Sequence, residues 1–165
     1  MKIQRISPCL WFDDQAEEAA QFYTGIFPNS RINSVARFGK AGQDIHGRPA
    51  GSVMVVAFEL DGQSFTALNG GPMFKFNEAI SLQVRCETQK EIDFYWEKLV
   101  AGGDPQAQQC GWLKDRYGLS WQVVPAMMDD MFKGEATPRS ERAMSAMLEM
   151  KKLDIAALKR AYDGK

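Results

Sequence analysis

Side chains that could act as nucleophiles, general bases or strong metal ligands are few in this sequence. There is one histidine, His46, and there are three cysteines, Cys9, Cys86 and Cys110, with no CxxC spacing. A catalytic cysteine needs a neighbouring base or a positive field to form its thiolate. His46 stands in a polar, glycine-rich stretch, so we expect a loop residue, and we expect reduced, mostly buried thiols. A catalytic role for Cys9 or Cys110 stays open as an alternative.

Two further stretches carry polar groups in unusual surroundings. Gln122 lies in the apolar run LSWQVVP, where its amide can donate and accept hydrogen bonds but is a poor metal ligand. The run LNGG, residues 68–71, contains a double glycine, which is more typical of a sharp strand exit than of a phosphate loop. Asn69 could cap that turn.

The elements that must position these residues begin with a strand predicted over residues 3–12. A helix follows, with Asp14 and Glu17 at the spacing of a capping box. Three strand-like runs come next, and Asp61-Gly62 joins the last two as a hairpin. These runs are RINSVARFG, SVMVVAFEL and QSFTALN. The polar residues 40–52 between the first two predict a loop.

The second half repeats this order. The strand ISLQVRC precedes a capping box at Thr88 and Glu91, a helix, and a hairpin that turns near Tyr117-Gly118. Residues 19–23 match residues 91–95 at an offset of 72, and the run DGQSFTAL matches YGLSWQVV at an offset of 56. The shared order predicts two βαβββ halves, the second one strand short.

The last forty residues predict helices, because Met and Leu recur there at helical spacing. Thr137-Pro138 is typical of a helix start and Gly164 of a stop. These helices would serve the core or a dimer contact. We therefore divide the chain into a first module over 1–76, a shorter second module over 77–125 and a helical extension over 126–165.

Composition excludes some partner classes. The chain has 165 residues, of which 45% are hydrophobic, and its 20 basic residues balance 21 acidic ones. This balance predicts no nucleic-acid partner. No stretch reaches the roughly 18 apolar residues that a membrane helix needs, and no signal-peptide pattern is present, so we expect no membrane partner and a cytoplasmic protein.

Two stretches together resemble a known family. PCLWFDDQAEEAAQFYTGIFPNSRI near the start and CGWLKDRYGLSWQVVP near residue 120 are similar to the PhnB-like branch of the vicinal oxygen chelate superfamily. Glyoxalase I, bleomycin-resistance proteins and extradiol dioxygenases belong to that superfamily. The resemblance implies an α+β fold, the glyoxalase/bleomycin resistance/dioxygenase fold of paired βαβββ modules around a cup-shaped cavity. It also implies a homodimer, often with modules exchanged between the chains.

The resemblance bears on metal binding. Metal-using members of the superfamily hold the ion with four ligands, usually His and Glu, two from each half. The matching positions here are Ser7, Thr66, Ala79 and Gln122. A hydroxyl, a methyl and an amide are poor ligands compared with imidazole, thiolate or carboxylate. We therefore predict no tightly bound catalytic metal and no other cofactor.

Strand alternation sorts the side chains between the helices and the cavity. The mixed polar face should line the cavity, which suits a small, partly aromatic or amphipathic ligand, unless the protein's own side chains fill the space. The predicted ligand-binding residues are Ser7, Cys9, Trp11, Thr66, Asn69, Phe76, Ser81, Gln83, Trp112 and Gln122.

Three functions follow in order of preference. The first is a metal-free protein that binds a small molecule. The second is a lyase, isomerase or dioxygenase that uses a divalent metal ion. The third is a methyltransferase, because members of the branch often carry the label 3-demethylubiquinone methyltransferase. S-adenosylmethionine enzymes usually place a glycine-rich loop before a helix, whereas LNGGP precedes Phe74, Lys75 and Phe76 with no helix signal.

Overall fold

Two sheets, one in each half of the chain, form the framework of the protein. The computed structural model describes residues 4–165, and these fall into two compact units divided between Lys75 and Phe76. The first unit holds four strands and two helices: β1 (Cys9–Phe12), α1 (Ala16–Thr24), β2 (Arg31–Arg37), α2 (Gln43–His46), β3 (Val53–Leu60) and β4 (Gln63–Asn69). Its sheet has the order β1-β4-β3-β2, with β1 parallel to β4.

The second unit repeats this plan with one strand fewer, which confirms the predicted α+β repeat. It begins with β5 (Leu82–Cys86), α3 (Gln89–Val100), a 3₁₀ turn (Pro105–Ala107), β6 (Trp112–Lys114) and β7 (Ser120–Pro125). Its sheet has the order β5-β7-β6, and β5 is parallel to β7. The strands β5, β7 and β6 therefore take the places of β1, β4 and β3.

Local turn and cap signals set the element boundaries as predicted. Asp61 and Gly62 both have positive φ, 46° and 78°, as the tight hairpin between β3 and β4 requires. The Thr88 hydroxyl accepts from the Glu91 amide, and the Glu91 side chain accepts from the Thr88 amide, which completes the capping box of α3. Gly118, with φ of 82°, lies in the turn between β6 and β7.

The start of the chain differs from the prediction in two ways. The strand expected over 3–12 is confined to Cys9–Phe12, since Pro8 has no N–H for the ladder, and Ile3 lies outside the described residues. The expected Asp14 cap is also wrong. Gln15 occupies the N-cap of α1 and its side chain caps nothing; the Asn69 Oδ1 atom accepts from the Ala16 amide at 2.8 Å instead.

Each sheet buries one face beneath a helix. In the first unit α1 covers the sheet with its alanines and Tyr23, which is fully buried. In the second unit Ile92, Trp96 and Leu99 of α3 pack over β5, β6 and β7, while Tyr95 of the predicted stripe is only half-buried. The opposite face of each sheet carries the polar side chains. This sorting agrees with the alternation predicted from the sequence.

The C-terminal residues form three helices and a satellite core of the second unit. They are α4 (Met128–Met131), α5 (Pro138–Leu148) and α6 (Ile155–Asp163). Thr137 caps α5, and Gly164 ends α6 in the left-handed conformation, both as predicted. Met131, Ala143, Leu153 and Leu158 are buried together, so this tail is core. None of the helices within residues 4–165 is long and apolar enough to cross a bilayer.

Candidate functional site

The open face of the first sheet carries three of the predicted ligand-binding residues. Cys9 and Trp11 lie on β1, and the register pairs Cys9 with Thr66 on β4. Ser7 precedes β1 and is exposed. The Trp11 indole donates to the Gly71 carbonyl at 2.8 Å. The structure thus brings Cys9, Trp11 and Thr66 onto one surface.

Asn69, another predicted ligand-binding residue, ends β4 and borders the cleft described below, and it also has a structural role. It is 5% exposed. Its Oδ1 atom accepts from the Ala16 amide, and its Nδ2 atom donates to the Val53 carbonyl at 3.1 Å. Both ends of the amide are therefore used within the first unit, where they join the start of α1 to the sheet.

An open cleft of about 840 Å³ lies beside Trp11 in the first unit. The segment with α2 forms one side, and the segment after β4 forms the other. Apolar side chains make up much of its wall, with Arg48, Asp13 and His46 as the ionisable groups. The apolar contributors are Trp11, Phe38, Ile45, Met54, Leu68, Pro72 and Met73. Such a lining suits a small ligand with an aromatic or aliphatic body.

Arg48 is anchored at the edge of this cleft by Asp13. Its Nη2 atom donates to the Asp13 carbonyl at 2.6 Å and to the Asp13 carboxylate at 3.1 Å. A guanidinium has five N–H donors, and within residues 4–165 no acceptor pairs with those of Nε and Nη1. The Arg48 side chain is 25% exposed. A fixed cation with unused donors is a ready partner for the carboxylate of a ligand.

His46 is half-buried, and its hydrogen bonds define its tautomer. The Arg48 backbone N–H donates to Nδ1 at 3.0 Å, so Nδ1 carries no proton. In the neutral ring the proton is then on Nε2, which lies 3.3 Å from the Ala41 carbonyl. The ring also packs on Phe38, with centroids 4.5 Å apart. His46 thus fixes the cleft segment that carries Arg48.

Four predicted residues share the open face of the second sheet. The register pairs Gln122 with Gln83 on β5 and with Trp112 on β6. The Gln122 Nε2 atom donates to the Ser81 hydroxyl at 2.9 Å, and the Gln83 amide lies 3.4 Å from Gln122 Oε1. Gln122 is half-buried. Phe76, the remaining predicted residue, lies at the start of this unit and is half-buried.

The strand registers correct one assignment made from the repeat. Thr66 pairs with Cys9 and Gln122 pairs with Gln83, so Cys9 corresponds to Gln83. By the same spacing Ser7 corresponds to Ser81, two residues beyond the predicted Ala79. The two helices match at the offset of 72 residues, whereas the strands that precede them match at a larger offset. The reason is that the segment linking strand to helix is shorter in the second unit. The equivalent positions thus hold hydroxyl and amide groups, with no methyl among them.

Asp115 is a buried carboxylate that is not among the residues predicted for the site. It is 2% exposed. Its Oδ1 atom accepts from the Tyr117 and Leu119 amides at 2.8 and 3.1 Å, and Oδ2 accepts from the Trp121 indole at 2.8 Å. Asp115 therefore shapes the turn that leads into the strand of Gln122. The signal for this role is the Asp-x-x-Gly spacing, typical of a turn.

The three cysteines lie in different surroundings. Cys86 is buried, and desolvation, helped by the nearby negative charge of Glu91, raises the pKa of its thiol to about 12. Cys9 is exposed and Cys110 is half-buried. Among residues 4–165 no group of three or more His, Cys, Asp or Glu side chains is placed to hold a metal ion.

Comparison with known proteins identifies the family. The family model described as 3-demethylubiquinone-9 3-methyltransferase matches residues 4–124. A PhnB protein from Bacillus cereus is 38% identical over 74% of this chain and 100% of its own, with a TM-score of 0.63. The chain belongs to this family. None of the curated proteins compared matches it.

More distant structures share the fold of this PhnB-like chain. A protein from Pseudomonas aeruginosa is 19% identical over 74% of this chain and 98% of its own, with a TM-score of 0.58. The fosfomycin resistance protein FosX from Listeria monocytogenes is 14% identical over 81% of this chain and 100% of its own, with a TM-score of 0.53. These two structures therefore share the fold of the PhnB-like chain, which is what a likeness at this level of identity shows.

The hydroxyl and amide positions bear on the metal site that the sequence resemblance implies. The resemblance places ligands of metal-using members at Ser7, Thr66 and Gln122, and the strand registers put Ser81 in place of Ala79 as the fourth position. In the PhnB-like chain they hold Ser7, Thr66, Ser81 and Gln122, and Gln122 already uses its amide N–H on Ser81. Neutral oxygen donors of this kind do not match the imidazole and carboxylate ligands of transition-metal sites.

Proposed function

We propose that this PhnB-like protein binds a small organic molecule without a tightly bound metal ion. The observation that carries the proposal is the cleft beside Trp11, where apolar walls meet the anchored guanidinium of Arg48. A ligand with an aromatic body and one carboxylate fits both features. The hydroxyl and amide groups at the superfamily's ligand positions support binding through hydrogen bonds.

Calorimetric titration with benzoate, benzamide and benzylamine tests this proposal. The three probes share a ring and differ in charge. We expect benzoate to bind most tightly, because its carboxylate can accept from the unused donors of Arg48. Benzylamine should bind most weakly, since its ammonium meets the guanidinium.

Two arginine variants locate the binding. Arg48→Gln should weaken benzoate binding about tenfold, as expected for a hydrogen bond to a charged group. Arg37→Gln is the matched control, because Arg37 is exposed, donates to the Gly51 carbonyl and does not line the cleft. Equal benzoate affinity in the two variants would contradict the site.

Two alternatives have their own tests. A lyase, isomerase or dioxygenase with a divalent ion predicts about one metal ion per purified chain by elemental analysis, and the proposed function predicts far less. The family model's description favours a methyltransferase as a further candidate. Calorimetry with S-adenosylmethionine tests it, and saturable binding would support that alternative.

We also propose a cytoplasmic homodimer, whose two chains could exchange modules. Large apolar side chains next to the site strands support a second copy as the partner: Ile6 is 87% exposed and Ile80 is 66% exposed. Light scattering should give twice the mass of the chain. A monomer mass at micromolar concentration would count against the dimer.

A further inference from the structure

Ser120 stands out among the buried polar side chains. It begins β7 and is 1% exposed. Its hydroxyl is the one buried side-chain nitrogen or oxygen within residues 4–165 that lacks a hydrogen-bond partner. Buried hydroxyls are nearly always paired, because an unpaired one loses its water without compensation. An exception of this kind requires an explanation, and a ligand supplies one.

Ser120 is one of the residues that line a second cavity, of about 410 Å³, within the second unit. Trp112 and Leu113 give it apolar walls, and the ion pair of Lys114 with Glu78 lies at its edge. The hydrogen bond from Lys114 lowers the pKa of the Glu78 carboxyl. The cavity shares no residue with the cleft beside Trp11.

Several hydrogen bonds hold in place the segment of Gln109 and Cys110, which also lines the cavity. Cys110 adopts a φ of 51°, in the left-handed region that is uncommon for a residue with a side chain. Its amide donates to the Met150 carbonyl at 2.8 Å, and the Gly111 amide donates to the Lys151 carbonyl at 2.8 Å. The Gln109 side chain donates to the Leu148 carbonyl at 2.8 Å. The wall is therefore built before any ligand arrives.

We infer that this cavity is a second binding site, for a small aromatic molecule that carries one hydroxyl group. The ring lies against Trp112, and the hydroxyl pairs with Ser120 Oγ. A phenol fits this description, because its O–H can donate to or accept from the serine. The site goes beyond the proposed function, and its ligand needs no carboxylate.

The test is a titration of the protein with phenol and with toluene, followed by amide and indole NMR signals. Toluene carries a methyl group where phenol carries its hydroxyl, so it has a similar shape but no hydrogen-bonding group. We expect phenol to shift the signals of Trp112, Cys110 and Gly111 and to bind more tightly than toluene. Arg48→Gln should leave the phenol affinity unchanged, which separates this site from the benzoate site.

Two serine variants decide whether Ser120 contacts the ligand. Ser120→Ala should weaken phenol binding about fivefold, to the level of toluene. The same variant should raise the melting temperature of the ligand-free protein, because it removes an unpaired buried hydroxyl. Ser145→Ala, whose hydroxyl donates to the Glu141 carbonyl outside the cavity, should keep the wild-type phenol affinity. If phenol shifts none of the cavity signals, or binds Ser120→Ala as tightly as the wild type, the inference is wrong.

Discussion

At the scale of single residues, the hydrogen bonds of Gln122 bear on the proposal that the protein holds no metal ion tightly. Its amide N–H donates to Ser81, and Gln83 lies within reach of its oxygen. These contacts place three uncharged side chains side by side on one sheet. Zinc and similar ions are bound in proteins by thiolate, imidazole or carboxylate groups, and none of these three side chains is of such a type.

Replacing Gln122 with Glu tests this interpretation. The variant introduces one carboxylate among hydroxyls and amides, and one strong ligand is too few for a stable site. We therefore expect Gln122→Glu to bind Mn²⁺ or Zn²⁺ no more tightly than a surface carboxylate does, as measured by calorimetry. Gln83→Glu, on the exposed neighbouring position, is the matched control. Micromolar binding in Gln122→Glu alone would show that the other positions already form most of a metal site.

Cys86 allows a prediction on thiol chemistry. Burial raises the pKa of its thiol from an ordinary 9.0 to about 12, and only the thiolate reacts quickly with iodoacetamide. At pH 8 we expect alkylation of the exposed Cys9 in the native protein and of Cys86 only in urea, as checked by mass spectrometry. Equal rates for both in the native state would contradict the burial.

The raised pKa of the Cys86 thiol also makes the stability of the fold depend on pH. A thiol whose pKa is higher in the folded state than in the unfolded state stabilises the fold fully below about pH 9. That contribution is lost as the pH rises towards 12, so alkali should favour unfolding.

At the scale of elements, Asn69 replaces the expected local cap of α1. It joins the helix start to the sheet through two hydrogen bonds. We expect Asn69→Ala to lower the free energy of unfolding by about 2 kcal/mol, from a lost cap and a lost buried hydrogen bond. Urea unfolding measures this free energy.

The control is Asn33→Ala, since Asn33 is an exposed asparagine on β2 that pairs with Glu59. This variant should change the free energy of unfolding by less than about 0.5 kcal/mol. Similar losses in the two variants would refute the role.

The helical tail is an element whose removal should damage the second unit. Leu153 and Leu158 are fully buried with Met131, and the Gln89 side chain bonds to the backbone of Leu153 and Ile155. Deleting residues 137–165 should therefore expose apolar surface, lower the melting temperature and reduce solubility. Deletion of Lys165 alone is the control. A truncated chain as stable and soluble as the full one would contradict this account, and a retained dimer would exclude the tail as the dimer contact.

Sequence patterns predicted the elements that depend on near neighbours. The Asp61-Gly62 hairpin and the Thr88 cap each involve residues within a few positions of one another, where turn and capping chemistry decides the conformation. Asn69 and Ala16 meet only because the sheet brings them together, so no local pattern could reveal that bond. The unpaired Ser120 hydroxyl is likewise invisible in the sequence, since it is defined by neighbours that the fold supplies.

At the scale of the whole molecule, the repeat explains why Thr66 and Gln122 were matched correctly and why Ala79 was chosen in place of Ser81. Internal matches identified equivalent positions in the two halves, and the registers of Thr66 and Gln122 agree with them. The two-residue difference between the strand and helix offsets moved the fourth position from Ala79 to Ser81. Thr66 and Gln122 thus fall on the open faces, whereas the first unit's cleft combines Trp11 and Asn69 with the segment around Arg48, which has no counterpart in the repeat.

Thermal unfolding with benzoate, in the presence and absence of EDTA, tests the central claim of metal-free ligand binding most directly. A ligand that binds only the native state must raise its stability with concentration. We predict that the melting temperature rises with benzoate and that EDTA leaves the rise unchanged. No rise at millimolar benzoate, or a rise that EDTA abolishes, would contradict the claim.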